Sequence, residues 1–181
     1  MRAWSFVLVS VTGLLLVPSS SSALPSPPRK PLPFETVIRT SVRMPDPNGV
    51  KATTFVAANA TTEAAGLGSE VDWKGKVADV DFRTHFVIGV FVRDRASLTI
   101  RAIRVRSVSN RFREFCISVG LGDLASGEAG RRIYALHAVS IRWTRALRRN
   151  IPDLMRAGTV LRDQNGSLLT ASTGTKPGLC R

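Results

Sequence analysis

Residues 86–92 read Phe-Val-Ile-Gly-Val-Phe-Val, an unbroken apolar run between His85 and Arg93. Every residue but Gly89 is β-branched or aromatic, the composition that suits a pleated, packed surface. A membrane span needs roughly 20 apolar residues, so this run has the length of a strand instead. Successive side chains of a strand point to opposite faces. A strand that is apolar at every position therefore requires cover on both faces, and the rest of the chain has to supply it. This requirement points to a layered β structure with His85–Val92 as a central strand.

The neighbouring segments supply more strands. Phe34–Val42 alternates Phe34, Thr36 and Ile38 with Glu35, Val37 and Arg39. Lys51–Ala58 follows a Pro/Asn-Gly turn. Leu98–Val108 follows the short turn Arg-Asp-Arg-Ala-Ser and is expected to pair with the central strand as a hairpin. Its alternation slips once: Ile103 and Val105 share the face of Leu98 and Ile100 only if one residue is skipped. A β-bulge near Ala102 does this and directs Arg101, Arg104 and Arg106 to the other face. Arg111–Gly120 and Ile133–Trp143 are further strands, the latter carrying His137 in phase with apolar neighbours. Asn165-Gly166 marks a two-residue hairpin turn between short apolar runs. Helical signals are sparse. Thr61 or Thr62 caps a short helix ended by Gly66 or Gly68, and short basic helices follow Thr144 and Pro152. The expected fold is mainly β, an antiparallel meander or sandwich-like sheet with short helices, with α+β as the alternative.

The organisation is that of an exported protein. Arg2, the apolar stretch Ala3–Val17, the break at Pro18 and Ser21-x-Ala23 fit a cleavable secretory signal over 1–23. Five prolines between Pro25 and Pro33 make 24–33 an extended tether. Residues 34–181 then form one β-rich domain with a C-terminal hairpin and tail, with no membrane span after signal cleavage. Outside the cytoplasm, the pair Cys116 and Cys180 is expected to form a disulfide that ties the C-terminus to the middle of the domain.

The net charge of +13 is unevenly placed. Residues 24–82 are neutral, whereas eight arginines fall between Arg83 and Arg113 against Asp94 alone. Six more lie between Arg131 and Arg149 with no acid among them. Arg101, Arg104 and Arg106, together with Arg142, Arg145, Arg148 and Arg149, are the candidate surface for an anionic group or a protein partner. The bland alternative is a solvated strand face. Sequence-specific nucleic-acid binding is not expected, because there is no groove-reading motif and no aromatic interleaving of the arginines.

No catalytic site is expected. There is no Gly-x-Ser-x-Gly elbow, phosphate-cradling loop or metal-ligand spacing around His85, His137, Cys116 or Cys180. No cofactor or metal is implied. Asp79 and Asp81 share one side of a strand start and read as a surface cap. Asn59-Ala60-Thr61 and Asn165-Gly166-Ser167 match glycosylation acceptors.

Phe34-Glu35-Thr36-Val37, Val80-Asp81-Phe82 leading into FVIGVFV, the alternating LTIRAIRVRSV and the late ALHAVSIR occur in an order that resembles the PrcB-like family. These are small secreted domains named after the B subunit of a bacterial protease complex. The resemblance covers about residues 34–143. It implies a non-catalytic accessory domain associated with a secreted protease, and it carries over no catalytic residues. Members usually hold a glycine-rich TGG-type segment between the paired strands. Here that place reads RDRASLT, so no role of that turn is transferred. Three function classes follow: an accessory domain for another exported protein such as a protease, a cationic binder of an anionic envelope polymer, and a small secreted hydrolase.

Overall fold

The computed structural model describes residues 31–43, 51–68, 79–107, 113–125, 131–141, 157–175 and 177–180. Among them the strands are β1 (Phe34–Arg43), β2 (Ala52–Ala57), β3 (His85–Arg93), β4 (Ser97–Ser107), β5 (Arg113–Gly122), β6 (Arg131–Ser140), β7 (Gly158–Arg162) and β8 (Leu168–Ala171). The helix α1 (Ala60–Leu67) lies between β2 and β3. The fold is mainly β, as the apolar periodicity demands. The first sheet runs β1-β6-β3-β2 and is antiparallel throughout. The second runs β4-β5-β7-β8, with β5 and β7 parallel.

The two sheets bury one continuous core between them. Phe86, Ile88, Val90, Val92, Ile133 and Val139 come from the first sheet, and Leu98, Ile100, Ile103, Val105, Phe115, Ile117 and Leu161 from the second. The rings of Phe86 and Phe115 meet across the interface at 5.5 Å. Each fully buried side chain of this kind contributes about 1.5–3 kcal/mol relative to exposure. Thr54 of β2 and Thr159 of β7 hydrogen-bond to each other through their hydroxyls, which joins the sheets at one end without orphaning a polar group.

The far face of β3 is also covered. Phe55, Phe91 and Tyr134 form an aromatic row there, with Phe91 edge-on to Tyr134 at 4.5 Å, and Leu67 of α1 packs against it. Val87 and Leu136 continue the layer. All of Phe86–Val92 is buried. Gly89 interrupts the apolar run because the Phe55 ring lies against it, where a Cβ would overlap the ring.

Four local expectations shift. First, β3 and β4 are not hairpin partners. Both edges of β3 are taken by β2 and β6, and β4 crosses to the other sheet to pair with β5. The short connection is an arch. Asp94 takes a left-handed conformation (φ 56°), the Ala96 N–H donates to Gly122 O at 2.9 Å, and Arg95 pairs with Asp123. Second, the cap of α1 is Asn59. Its Oδ1 accepts the Thr62 N–H at 2.8 Å while Thr62 Oγ1 accepts the Asn59 N–H at 3.2 Å, a reciprocal capping box. Thr62 is therefore the third residue of the helix, and Gly68 follows its last one. Third, the β7–β8 turn centres on Gln164-Asn165 rather than on Asn165-Gly166. The Asp163 carboxylate accepts the N–H groups of Asn165 and Ser167, and Gly166 takes the positive-φ position that follows (80°). Fourth, Leu32 is buried, and its N–H donates to Ile103 O at 2.7 Å. The packed body thus includes this tether residue ahead of Phe34.

Cys116 and Cys180 form the expected disulfide, 64 residues apart in sequence. No helix among the described residues is long and apolar enough to cross a membrane. The segments read as a signal (1–23), as basic helices after Thr144 and Pro152, and as the Arg142, Arg145, Arg148 and Arg149 cluster lie outside the described residues.

Candidate functional site

The bulge in β4 decides where the arginines go. Pairing with β5 steps from Ile100↔Val119 to Ala102↔Ser118, so Arg101 is the extra residue. Leu98, Ile100, Ile103 and Val105 all reach the core as a result. Arg101, Arg104 and Arg106 are left on the outer face of the second sheet, the outcome expected from the slipped alternation. The three then have different fates.

Arg101 is exposed and lies across Gly120, with its Nε 3.1 Å from where a Cβ would stand. Glycine at 120 thus leaves room for the guanidinium to lie against the strand. Arg104, half-buried, sits opposite Cys116. Neither Arg101 nor Arg104 has an ion pair or hydrogen bond among the described residues. Arg106 does not belong to the open surface. Its side chain is 12% exposed and forms an ion pair with Glu114, its cross-strand neighbour, whose carboxylate is fully buried. The reason is that β5 places an acid directly opposite it, and a buried carboxylate requires a partner. The arginine row is therefore two open charges and one internal strut.

Beside Arg104 the outer face is hollowed into a groove of about 560 Å3, lined by Arg104, Cys116, Ser118, Val160, Arg162 and the hairpin tip 163–166. Alternation on β5 and the parallel register with β7 bring these side chains to one face, since Cys116 lies opposite Val160 and Ser118 opposite Arg162. Arg162 braces both walls. One terminal nitrogen donates to Gly166 O in the hairpin, and the other donates to Pro177 O at 2.8 Å in the tail. Gln164 ties the hairpin to β5 by accepting the Leu121 N–H at 2.9 Å. The disulfide holds the 3-10 turn Pro177–Leu179 and Cys180 over Glu114, with Cys180 Sγ 3.7 Å from Glu114 Oε2.

Glu114, Cys116 and Cys180 place an oxygen and two sulfurs within 4.8 Å of one another. In the observed state the sulfurs are bonded to each other and Arg106 occupies the carboxylate, so the set presents no thiolate to a cation.

The two histidines do not combine. In β3 the core-facing residues are Phe86, Ile88, Val90 and Val92, so His85 points outward, while His137 is fully buried on the inner side of β6. His137 shares a hydrogen bond with Thr36 Oγ1 at 3.2 Å through Nδ1 and packs edge-on to Phe34. Its Nε2 has no partner among the described residues. Burial, with a smaller effect from the Arg39 charge, pushes its pKa down to about 4. It is a neutral core residue near pH 7. Asp81 caps the turn before β3: its Oδ1 accepts the Arg83 N–H at 3.0 Å, and the Arg83 side chain holds its carboxyl below the usual range. His85 Nδ1 hydrogen-bonds Thr84 Oγ1 at 2.9 Å. The described residues bring no nucleophile, base and orienting group together.

Sequence reasoning located the outer arginines and the disulfide. It did not find Ser118, Val160, Arg162 or the hairpin tip as parts of one site. The missing signal is the parallel β5–β7 pairing, which unites segments more than 40 residues apart. Comparison with protein-family models, curated proteins and solved structures returns no match.

Proposed function

We propose that this chain is an exported, non-catalytic binding domain whose second sheet presents its outer face to an anionic envelope polymer. The observation that carries the reading is the pair Arg101 and Arg104, two guanidinium groups with no counter-ion among the described residues, set along one strand beside a groove. Arginine offers a planar fork that pairs with carboxylate, sulfate or phosphate. A row of such groups on a rigid strand suits a partner with repeated negative charge. The signal-like residues 1–23 and the disulfide support a location outside the cytoplasm. The rival reading, an accessory domain for an exported protease, rests on the PrcB-like resemblance alone.

The test is retention of the mature protein on a heparin column. The native domain should elute at high salt, and Arg101→Glu combined with Arg104→Glu should elute much earlier with an unchanged circular dichroism spectrum. Lys51→Glu, an exposed change just before β2, serves as the control for bulk charge. Elution of the native domain at low salt, or an equal shift in the Lys51 variant, refutes the proposal.

A further inference from the structure

We infer that the groove beside Arg104 is a subsite for a single acidic sugar unit, a monosaccharide carrying one carboxylate. The inference deepens the proposed anion-binding face and rests on that reading. The groove differs in kind from the open strand face on which Arg101 lies. At about 560 Å3 it falls within the roughly 300–1,000 Å3 range of small-molecule sites. Its shape does not depend on a ligand. Arg162 braces the hairpin and the tail, Gln164 fastens the hairpin to β5, and the disulfide fixes the tail to the floor. Such bracing lowers the ordering cost of binding.

The chemistry of the lining separates into three parts. The first is charge. Arg104 is the guanidinium in the groove with no partner among the described residues. The one carboxylate of the lining, Asp163, already accepts two backbone N–H groups of its own turn. The lining sets two guanidinium groups, Arg104 and Arg162, against the one carboxylate of Asp163, so the groove favours an anion, and a single one; the terminal nitrogens of Arg162 donate to carbonyl oxygens of the walls, which leaves Arg104 as the group to meet it. The second is neutral hydrogen bonding. The Ser118 hydroxyl and the Asn165 carboxamide make no hydrogen bond among the described residues, and both can donate and accept. That pairing suits hydroxyl groups better than a bare oxyanion, which only accepts. The third is apolar surface at the Cys116 side of the disulfide, over the fully buried Val160, against which the C–H face of a sugar ring can rest. One carboxylate, several hydroxyls and one apolar face together describe a uronic acid.

The experiment uses the full mature chain, isotopically labelled, in two-dimensional NMR titrations with D-glucuronate, D-glucose and sodium sulfate. Glucuronate should shift the amides of Cys116, Ser118, Asn165 and Gly166, glucose should do so only weakly, and sulfate should perturb the surroundings of Arg104 without those of Asn165. Arg104→Gln should weaken glucuronate binding roughly tenfold or more, because a charge-assisted hydrogen bond is lost. Ser118→Phe, which fills the groove without altering charge, should abolish it, and Lys51→Gln, an exposed change outside the groove, should leave it unchanged. Each variant's own dispersed spectrum reports that it is folded. Absence of glucuronate shifts, shifts centred elsewhere, or sulfate reproducing the whole pattern overturns the inference. If glucuronate fails while charge reversal of Arg101 and Arg104 still lowers heparin retention, the face survives and the groove assignment falls. If both fail, the proposed function falls with it.

Discussion

Acid should destabilise this domain through His137, by an amount that follows from its surroundings. The ring is fully buried between the sheets, and its Nδ1 is engaged by Thr36 Oγ1. The imidazolium carries an N–H at both nitrogens, and Nε2 has no acceptor among the described residues. The folded pKa is therefore depressed to about 4 against an ordinary value of 6.5. With the folded value below the unfolded one, the unfolded chain takes up the proton first as pH falls. The contribution is fully present above about pH 6.5 and is lost progressively down to about pH 4. At about 1.4 kcal/mol per pKa unit the whole window is worth about 3 kcal/mol, of which about 2 kcal/mol is gone by pH 5. That is a substantial fraction of a typical domain stability of about 5–15 kcal/mol.

Urea unfolding at pH 7.5, 6, 5 and 4 for the native domain and His137→Gln measures it. Glutamine keeps a polar partner for Thr36 and does not titrate. The native stability should fall by about 3 kcal/mol more than the variant's across the series. Other titrating groups cancel in that difference. Asp81 is held low by Arg83, so its contribution also fades in acid, while burial raises Glu63, which acts in the opposite direction. Neither group lies on the strands that carry His137 and Thr36. Parallel pH curves for the two proteins, or an NMR titration of His137 with a midpoint near 6.5, would refute the reasoning.

Replacing Cys116 and Cys180 by serine opens a loop of 64 residues and should cost about 4 kcal/mol on the chain-entropy model, read as a lowered midpoint in urea. The same variant frees the tail, so protease should cleave near Pro177 in the folded state. Glu114→Gln leaves Arg106 half-buried opposite a neutral amide and should cost about 3–5 kcal/mol, the usual penalty for breaking a buried pair from one side. Glu114→Gln with Arg106→Met should recover much of that loss, a non-additivity visible in a double-mutant cycle.

Local pattern was enough to place the strands and the bulge, because each depends on which face a side chain must take. Ile103 and Val105 reach the core only if one residue of β4 is skipped, and the skipped residue is Arg101, next to Ala102, near which the bulge is expected. The pairing of strands was less legible. A short turn after β3 reads the same whether the chain folds back as a hairpin or arches over to the opposite sheet. The choice is made by β2 and β6, which occupy both edges of β3 from distant parts of the chain. The turn at β7–β8 shows the same limit at smaller scale. Asn165-Gly166 marks a turn, but the Asp163 carboxylate moves its centre back by one residue.

This difference between local and long-range determinants bears directly on the site. The arginine row is a property of one strand, so its position is written in the alternation of β4. Its chemistry is a property of what lies opposite: Gly120 leaves Arg101 open, Cys116 leaves Arg104 beside a hollow, and Glu114 withdraws Arg106 into the interior. A charge count over residues 83–113 treats the three as equivalent, whereas the register on β5 makes them a surface anchor, a groove ligand and a structural strut. The effect of removing each charge should therefore be read in a different observable: polymer retention for Arg101, small-anion binding for Arg104 and stability for Arg106.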